Sequence, residues 1–242
     1  MMKKQTFLIY GISKGLGKAL SKYLPKKDDL VYGVSRTEPD YLNETTHDIE
    51  WIATDLSNPS ASSDVVCSRI GDQTIDCLIY NVGIWEHNAF SETYDFLNNS
   101  SEEIINIINT NISSCLLAIQ NCIENLKKST NAKIILIGST WGLDNHNGKE
   151  IAFSATKFAL RGIVHSLREN MREYGIGVSI VNLGYLATDF DYEDGIEKII
   201  QKSNGELIPL QDVVEAVRFI VSTSNASCVK EINMPAMKDI NL

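Results

Sequence analysis

The chain has 242 residues, 43% of them hydrophobic, and a formal net charge of −9. This length suits one full-sized α/β domain. The negative net charge gives no electrostatic signal of nucleic-acid binding and argues against a basic membrane-binding face. No apolar run approaches the roughly 18 residues of a membrane-spanning helix. The five cysteines form no C-x-x-C pair and the four histidines show no ligand spacing, so we predict reduced thiols, no metal site and a cytoplasmic location.

The first elements predict a phosphate-binding turn. An apolar strand over 7–10 is followed by Gly11, Gly15 and Gly17, and then by an amphipathic helix over 18–24. Glycine permits a tight turn and the close approach of a ligand, and the free N–H groups at a helix N-terminus attract negative charge. An ordinary glycine-rich turn is the alternative, because the spacing is G-x-x-x-G-x-G and not the commoner G-x-G-x-x-G.

Strands and helices alternate along the rest of the chain. Apolar runs predict strands, and apolar positions at helical spacing predict helices. Strands that are apolar on both faces and are joined by helices indicate a parallel sheet covered on both sides. We therefore expect one domain over 1–242, a three-layer, doubly wound Rossmann fold of about seven strands with helices on both faces. Further strands are predicted at 30–35, 49–54, 76–80, 133–137, 177–183 and 230–234, and helices at 59–70, 104–127, 149–174, 196–202 and 210–221.

Residues after the second and third strands indicate which dinucleotide would bind. Arg36 lies between two hydroxyl residues, and a guanidinium can bind a 2′-phosphate through two parallel hydrogen bonds. Lys14, inside the glycine turn, adds a second positive charge, so the pattern favours NADP(H) over NAD(H). Two solvated surface cations are the alternative. Asp55 and Leu56 are placed to meet an adenine edge, although Asp55 could equally cap a helix.

Six short motifs then follow one another along the chain at characteristic spacings. In order, they resemble the T-G-x-x-x-G-x-G, N-N-A-G, helix asparagine, S-x-x-G, Y-x-x-x-K and P-G-x-x-x-T motifs of the short-chain dehydrogenase/reductase family. The resemblance covers essentially the whole chain. The motifs stand here as Tyr10-Gly-Ile-Ser-Lys-Gly-Leu-Gly17, Tyr80-Asn-Val-Gly83, Asn111, Ser139-Thr-Trp-Gly142, Phe153-Ser-Ala-Thr-Lys157 and Leu183-Gly-Tyr-Leu-Ala-Thr188.

The resemblance implies an NADP(H)-dependent oxidoreductase that interconverts a carbonyl and an alcohol. In the family the serine at Ser139 polarises the substrate oxygen, the lysine at Lys157 holds the nicotinamide ribose, and the asparagine at Asn111 holds a water in a proton relay. The catalytic positions are thus Asn111, Ser139, Phe153 and Lys157. The implied cofactor-binding positions are Gly11, Ser13, Lys14, Gly15, Leu16, Gly17, Ser35, Arg36, Thr37, Asp55, Leu56, Asn81, Val82, Gly83, Lys157, Gly184 and Thr188.

Phe153 departs from the family, whose tyrosine at this position exchanges the proton with the substrate. A positioned general acid is typically worth about 10² to 10⁴ in rate, so we expect turnover to be severely weakened. Three explanations stay open: a natural loss or reassignment of the proton donor, a deliberate Tyr-to-Phe change that traps a complex, and a different register. Candidate stand-in donors are Tyr185, His146 and Thr140. A catalytically silent NADP(H)-binding sensor or scaffold is the rival function.

The resemblance and the pattern also predict a substrate site and an assembly. A small or medium carbonyl compound would meet Trp85, His87, Trp141, Leu143, Tyr185 and Phe190, although the two tryptophans could instead be core or interface residues. The segment 188–207 would form a mobile lid, and its carboxylates would repel an acidic substrate. Relatives pair the two long helices, here 104–127 and 149–174, so we expect a homodimer or homotetramer.

Overall fold

A seven-stranded parallel sheet forms the centre of the computed structural model, which describes residues 4–239. Its order is β3-β2-β1-β4-β5-β6-β7, so the chain reverses direction across the sheet between β1 and β4. The predicted doubly wound fold is confirmed, and the ends of the predicted 1–242 domain lie outside the described residues. The strands are β1 Thr6–Tyr10, β2 Leu30–Ser35, β3 Asp48–Ala53, β4 Cys77–Tyr80, β5 Lys133–Ile137, β6 Gly177–Leu183 and β7 Glu231–Met234.

Helices cover both faces because the strands are apolar on both faces. Leu8 and Tyr10 of β1 belong to a core shared with α2, α4 and α5, whereas Phe7 and Ile9 point to a second core shared with α1 and α7. Across residues 4–239, no helix combines the length and the apolar character needed to span a bilayer. The helices are α1 Gly15–Tyr23, α2 Pro59–Ile70, α3 Ser101–Ile108, α4 Ser114–Lys127, α5 Ile151–Met171, α6 Ile196–Lys202 and α7 Leu210–Ser222.

The long helix predicted over 104–127 is wrong as a single element. A π-helical turn, Asn109–Ser113, separates α3 from α4. The periodicity of apolar residues runs through the interruption, so it gives no sign of the widened turn. Ser100 caps α3, since its hydroxyl accepts a hydrogen bond from the Glu103 N–H at 3.1 Å. The other long helix is shorter than the predicted 149–174, because residues 172–174 form a 3₁₀ turn.

The segment 188–207 contains α6 where a short helix is predicted, and its first residues are attached to the body of the fold. The Tyr192 ring stacks on Tyr23 of α1, with the centroids 3.8 Å apart. The Tyr23 hydroxyl donates to the Glu193 carboxylate, and the side-chain amide of Gln211 on α7 donates to the Tyr192 carbonyl. These contacts hold one end of the segment against α1 and α7.

The glycine turn packs too closely for side chains at two positions. Gly11 has a φ of +84°, and a Cβ there would lie 2.6 Å from the Asn81 carbonyl oxygen. A Cβ at Gly17 would lie only 1.8 Å from the Gly11 carbonyl oxygen. The start of α1 can therefore pack against the end of β1 only because Gly17 carries no side chain.

We predict that Gly17→Ala lowers the free energy of unfolding, because the new methyl group displaces backbone and not a flexible side chain. Overpacking of this kind typically costs about 1–3 kcal/mol. Urea denaturation measures the change. The matched control is Gly162→Ala in α5, where nothing lies within 4 Å of an added Cβ and where alanine is favoured by up to about 1 kcal/mol. Equal stability of Gly17→Ala and the parent would contradict the packing argument.

Candidate active site

Two adjoining cavities lie beyond the carboxyl ends of the strands, where the sheet order reverses. The larger has a volume of about 580 Å³ and the smaller about 340 Å³. Both are lined by Leu16, by residues 81–83 and Trp85 after β4, and by Leu186 and Thr188 after β6. The shared lining makes them two compartments of one cleft, at the position expected for a ligand in a doubly wound sheet.

The larger cavity brings together most of the predicted cofactor-binding residues. It is not lined by Gly17, which is buried beneath the turn, or by Thr37, whose carbonyl accepts the Ser35 hydroxyl at 2.8 Å. Lys157 and Gly184 line the smaller cavity instead. Sequence reasoning missed Thr54, Ser57, Asn106, Thr110 and Asp189. The predicted residues that line the larger cavity are Gly11, Ser13, Lys14, Gly15, Leu16, Ser35, Arg36, Asp55, Leu56, Asn81, Val82, Gly83 and Thr188.

The larger cavity offers donors and positive charge to an anion. Lys14 is the N-cap residue of α1, and no side chain caps the helix, whose first turn contains no acidic residue. The first N–H groups of α1 are thus available to a ligand. In the described part of the chain, neither Lys14 nor Arg36 makes an ion pair. Asp55 both lines the cavity and accepts the Ser57 N–H at 3.0 Å, so it also stabilises the turn before α2.

The smaller cavity brings Ser139, Phe153 and Lys157 together from two elements. Ser139 follows β5, and its hydroxyl oxygen accepts the Trp141 N–H at 3.2 Å. Phe153 and Lys157 lie one turn apart on α5, where residues four apart share a face. The end of β5 and one face of α5 therefore line the same cavity.

Asn111 lies behind the smaller cavity and does not line it. Its side chain is fully buried and holds the chain after β4. The amide oxygen accepts the Ile84 N–H at 2.9 Å, and the amide nitrogen donates to the Ile84 carbonyl at 2.8 Å and to the Thr156 hydroxyl at 3.0 Å. The π-helical turn, a feature that often marks functional sites, carries Asn111. The residue ties α5 to the segment that forms the wall of both cavities.

Lys157 is a buried cation without a carboxylate partner among the described residues. Its ammonium donates to the Ile137 carbonyl at 3.1 Å and lies 5.3 Å from the centre of the Phe153 ring. Burial lowers the Lys157 pKa to about 8, because the charged form loses its hydration. The side chain can therefore gain or lose a proton near neutral pH.

Phe153 belongs to an aromatic cluster that sequence reasoning recognised only in part. Phe90, missed as a lining residue, is its centre. The Phe90 ring meets Phe153 edge-to-face at 5.5 Å and also contacts Trp85, Trp141 and Tyr185. Its backbone has a φ of +62°, a strained conformation for a bulky residue that often occurs at functional sites. The cluster makes the smaller cavity largely apolar.

The predicted substrate residues separate into two groups. Trp85, Trp141 and Tyr185 line the smaller cavity, whereas the predictions for His87, Leu143 and Phe190 are wrong because these residues line neither cavity. The conformations of the loops that carry these residues decide which of them line the cavity. His87, for example, is exposed, and its N–H donates to the Glu103 carboxylate away from the cavities.

Only one of the three candidate stand-in donors reaches the smaller cavity. Tyr185 lines it, and burial, with Glu150 and Asp239 nearby, raises the Tyr185 pKa, so the phenol keeps its proton at neutral pH. Thr140 is buried and lines neither cavity. His146 is outside both cavities, with Nδ1 accepting the Gly148 N–H at 3.0 Å and Nε2 3.0 Å from the Ser154 hydroxyl.

Two buried glutamates, both missed from the sequence, fix the start of α5. One Glu86 oxygen accepts the N–H groups of Ala152 at 2.7 Å and Phe153 at 3.3 Å. Glu150 accepts the Phe90 N–H at 2.8 Å and the Trp141 indole N–H at 2.7 Å. Glu150 precedes α5, and its carboxylate makes no cap bond to that helix but ties the helix start to Phe90 and Trp141. Nothing in the sequence indicates that a loop residue as distant as Glu86 caps α5.

The comparisons with known proteins all indicate the same family. The family model described as short chain dehydrogenase matches residues 5–198. The 3-oxoacyl-(acyl-carrier-protein) reductase FabG of Buchnera aphidicola (subsp. Acyrthosiphon pisum) is 30% identical over 233 residues, which are 91% of each chain. A short chain dehydrogenase family protein from Francisella tularensis has a TM-score of 0.77 at 21% identity and covers 96% of this chain and 97% of its own.

A further structural relative is a variant of ElxO. ElxO with a tyrosine replaced by phenylalanine, described with NADPH bound, has a TM-score of 0.76 at 20% identity and covers 96% of this chain and 97% of its own. Family match, sequence relatives, the parallel sheet and the strand-end residues agree. The chain belongs to the short-chain dehydrogenase/reductase family of oxidoreductases.

Proposed function

We propose that this protein is an NADP(H)-dependent oxidoreductase that interconverts a carbonyl and an alcohol on a small or medium apolar substrate. The observation that carries the proposal is the convergence of Ser139 and Lys157 on a cavity that adjoins the cation-bearing cleft of the glycine turn. The substrate cavity, about 340 Å³ in volume, lies near the lower limit of typical ligand pockets. Its aromatic lining favours an apolar carbonyl compound.

The residues present fit NADP(H). The uncapped start of α1 offers its first N–H groups to a pyrophosphate, and Gly11 and Gly17 allow the close backbone packing that places this helix start beside the cavity. Lys14 and Arg36 provide partners for a 2′-phosphate. Asp55 and Leu56 would meet the adenine, Lys157 the nicotinamide ribose, and Gly184 and Thr188 the nicotinamide end. When bound, the cofactor supplies or accepts the hydride. Structural neighbours include complexes with NADP or NADPH and one with NAD, so the preference for NADP(H) rests on Lys14 and Arg36.

The chain's own residues would orient the substrate and manage its proton. Ser139 can donate a hydrogen bond to the substrate oxygen while its own oxygen accepts from Trp141. Tyr185 is the phenol that lines the cavity, so we assign it the residual proton donation that Phe153 cannot perform. Phe153 and Phe90 exclude water from the reacting face. We expect low activity because Tyr185 follows β6, whereas the tyrosine of the family would lie on α5, on the same helix face as Lys157.

The rival function is NADP(H) binding without catalysis. The ElxO variant described with NADPH bound shows that, in that protein, a tyrosine can be exchanged for phenylalanine while NADPH is held. A binding protein would retain the glycine turn and Lys157. It has no use for Ser139 beside the substrate cavity, and this residue favours the enzyme.

The domain, lid and assembly are part of the same proposal. We propose one functional domain over 1–242, with 188–207 covering the cleft. All five cysteines are free thiols, which suits a cytoplasmic enzyme.

An apolar groove between α4 and α5, lined by Ile123, Ile163 and Leu167, supports pairing of two copies through these helices. Sedimentation at micromolar concentration should give a dimer or tetramer, and a monomer would contradict this assembly.

We predict that Arg36→Glu weakens NADPH binding by roughly 10- to 100-fold, because a charge-assisted contact worth about 1.5–3 kcal/mol is replaced by repulsion. NADH affinity should change little. Fluorescence titration measures both. Arg69→Glu, an exposed arginine of α2 3.8 Å from Glu50, is the matched charge-reversal control. Equal losses for NADPH and NADH would refute the 2′-phosphate assignment.

We predict that Phe153→Tyr raises kcat on a carbonyl panel by about 10² to 10⁴, the usual contribution of a positioned general acid. NADPH affinity should stay within a factor of a few, because the phenylalanine ring already occupies the position. The panel is measured by NADPH oxidation and includes a 3-oxoacyl thioester. NADPH binding without turnover in either protein would support the silent binder, and failure to bind either dinucleotide would contradict both functions.

Tyr185 is tested in the parent chain by the same assay. Tyr185→Phe should abolish residual turnover in the parent yet reduce turnover only modestly in Phe153→Tyr, where the new phenol donates the proton. His146→Ala serves as the control, because His146 lies outside the cavity. A parent activity that survives Tyr185→Phe would refute the assignment of Tyr185.

A further inference from the structure

A third cavity opens at the opposite end of the sheet from the candidate active site. This basal cavity, about 200 Å³ in volume, lies where β5 and β6 begin, between the end of α5 and the segment that precedes β7. The seven residues of β6, Gly177–Leu183, separate the two ends by about 20 Å at the usual rise of a strand. The basal cavity is lined by Lys133, Arg168, Arg172, Gly175, Ile176, Gly177, Asn225, Ala226, Ser227, Cys228 and Lys230.

The lining of the basal cavity is strongly basic in an acidic protein. Four of its residues are cationic, and none of its lining residues carries a carboxylate, although the whole chain has a net charge of −9. Among residues 4–239, the one carboxylate that forms an ion pair with the cluster is Glu169, which binds Arg172 at 2.6 Å. At least three positive charges therefore stay uncompensated by a bonded carboxylate within the described residues.

Lys133 is the buried member of the cluster. The residue is 3% exposed, and in the described part of the chain its ammonium hydrogen-bonds only the Ser224 carbonyl, at a long 3.4 Å. Burial lowers its pKa, so the charged form lacks the stabilisation that it has in water. A Cβ at Gly177 would lie 3.0 Å from Lys133 Cδ, and the glycine thus leaves the space that the lysine stem fills.

Arg168 presents a guanidinium that is bonded to neutral groups. Its Nε donates to the Val178 carbonyl at 3.2 Å and one terminal nitrogen donates to the Lys230 carbonyl at 3.0 Å. These bonds hold the side chain in place while its positive charge has no carboxylate partner in residues 4–239. The Ser227 hydroxyl adds a further donor to the lining.

We propose that the basal cavity binds a small phosphate-class anion, either free phosphate or the phosphate group of a small ester. Phosphate oxygens accept several charge-assisted hydrogen bonds at once, and a fixed arginine beside lysines suits them. The volume is below the roughly 300–1,000 Å³ of pockets for larger organic ligands, so a nucleotide is too large. Binding would compensate the buried charge of Lys133.

Isothermal titration calorimetry tests this site with inorganic phosphate and with phenyl phosphate, at matched ionic strength against chloride. Saturable binding is expected, and Lys133→Met should weaken it about tenfold or more, as should Arg168→Gln, through the loss of a charge-assisted contact. Tighter binding of the ester or of the free ion would identify which of the two sources the site takes. Far-UV circular dichroism verifies that each variant is folded.

The controls separate the basal cavity from the dinucleotide cleft. Lys27→Met, at an exposed lysine between α1 and β2, should leave phosphate affinity unchanged, and so should saturation with NADP, which would occupy the cleft. Absence of saturable binding would overturn the proposal, as would equal affinity in Lys133→Met and the parent. Loss of phosphate binding on saturation with NADP would place the anion in the cleft and would likewise overturn it.

Discussion

The parallel register of four central strands determines where the candidate site lies. Tyr10 of β1 is level with Tyr80 of β4, Tyr80 with Leu136 of β5, and Ile137 with Val181 of β6. All four strands consequently deliver their next residues to one edge: the glycine turn, the Asn81–Gly83 wall, Ser139 and Gly184. A shift of one residue in any pair would turn a strand's side chains to the opposite face and bury the wrong set. Because both faces are packed against helices, the core itself holds this register.

Loss of a single hydroxyl at position 153 is compatible with the fold because α5 is held by other groups. Glu86 binds the first N–H groups of the helix, and Asn111 ties Thr156 to the wall of the cleft. Phe90 packs on the Phe153 ring. The scaffold thus keeps Lys157 and Ser139 in place whether or not residue 153 can donate a proton, and the chemistry can weaken without any change of architecture.

Two clusters of positive charge lie at opposite ends of the sheet in an acidic molecule. Lys14 and Arg36 lie at the carboxyl edge of the sheet, and Lys133 and Arg168 lie at its amino edge. A buried cation without a carboxylate partner is costly unless something compensates it. The two clusters differ in one respect: an uncapped helix N-terminus assists the first, whereas arginine and lysine side chains alone form the second.

The amino-acid sequence by itself determined the strands, the order of the motifs and the family. The five inner strands are largely apolar and buried, so they could be recognised locally, and the residues after them could be assigned to the site. The edge strands β3 and β7 are only partly buried, and their recognition depended on short apolar stretches between polar residues. Only the tertiary structure revealed the π-helical turn at Asn111, the central position of Phe90, the capping role of Glu86 and the convergence of basic residues on the basal cavity. It also excluded His87 and Phe190 from the lining of the substrate cavity. These features depend on loop conformations and on contacts between residues far apart in the chain, for which a local pattern of hydrophobicity carries no signal.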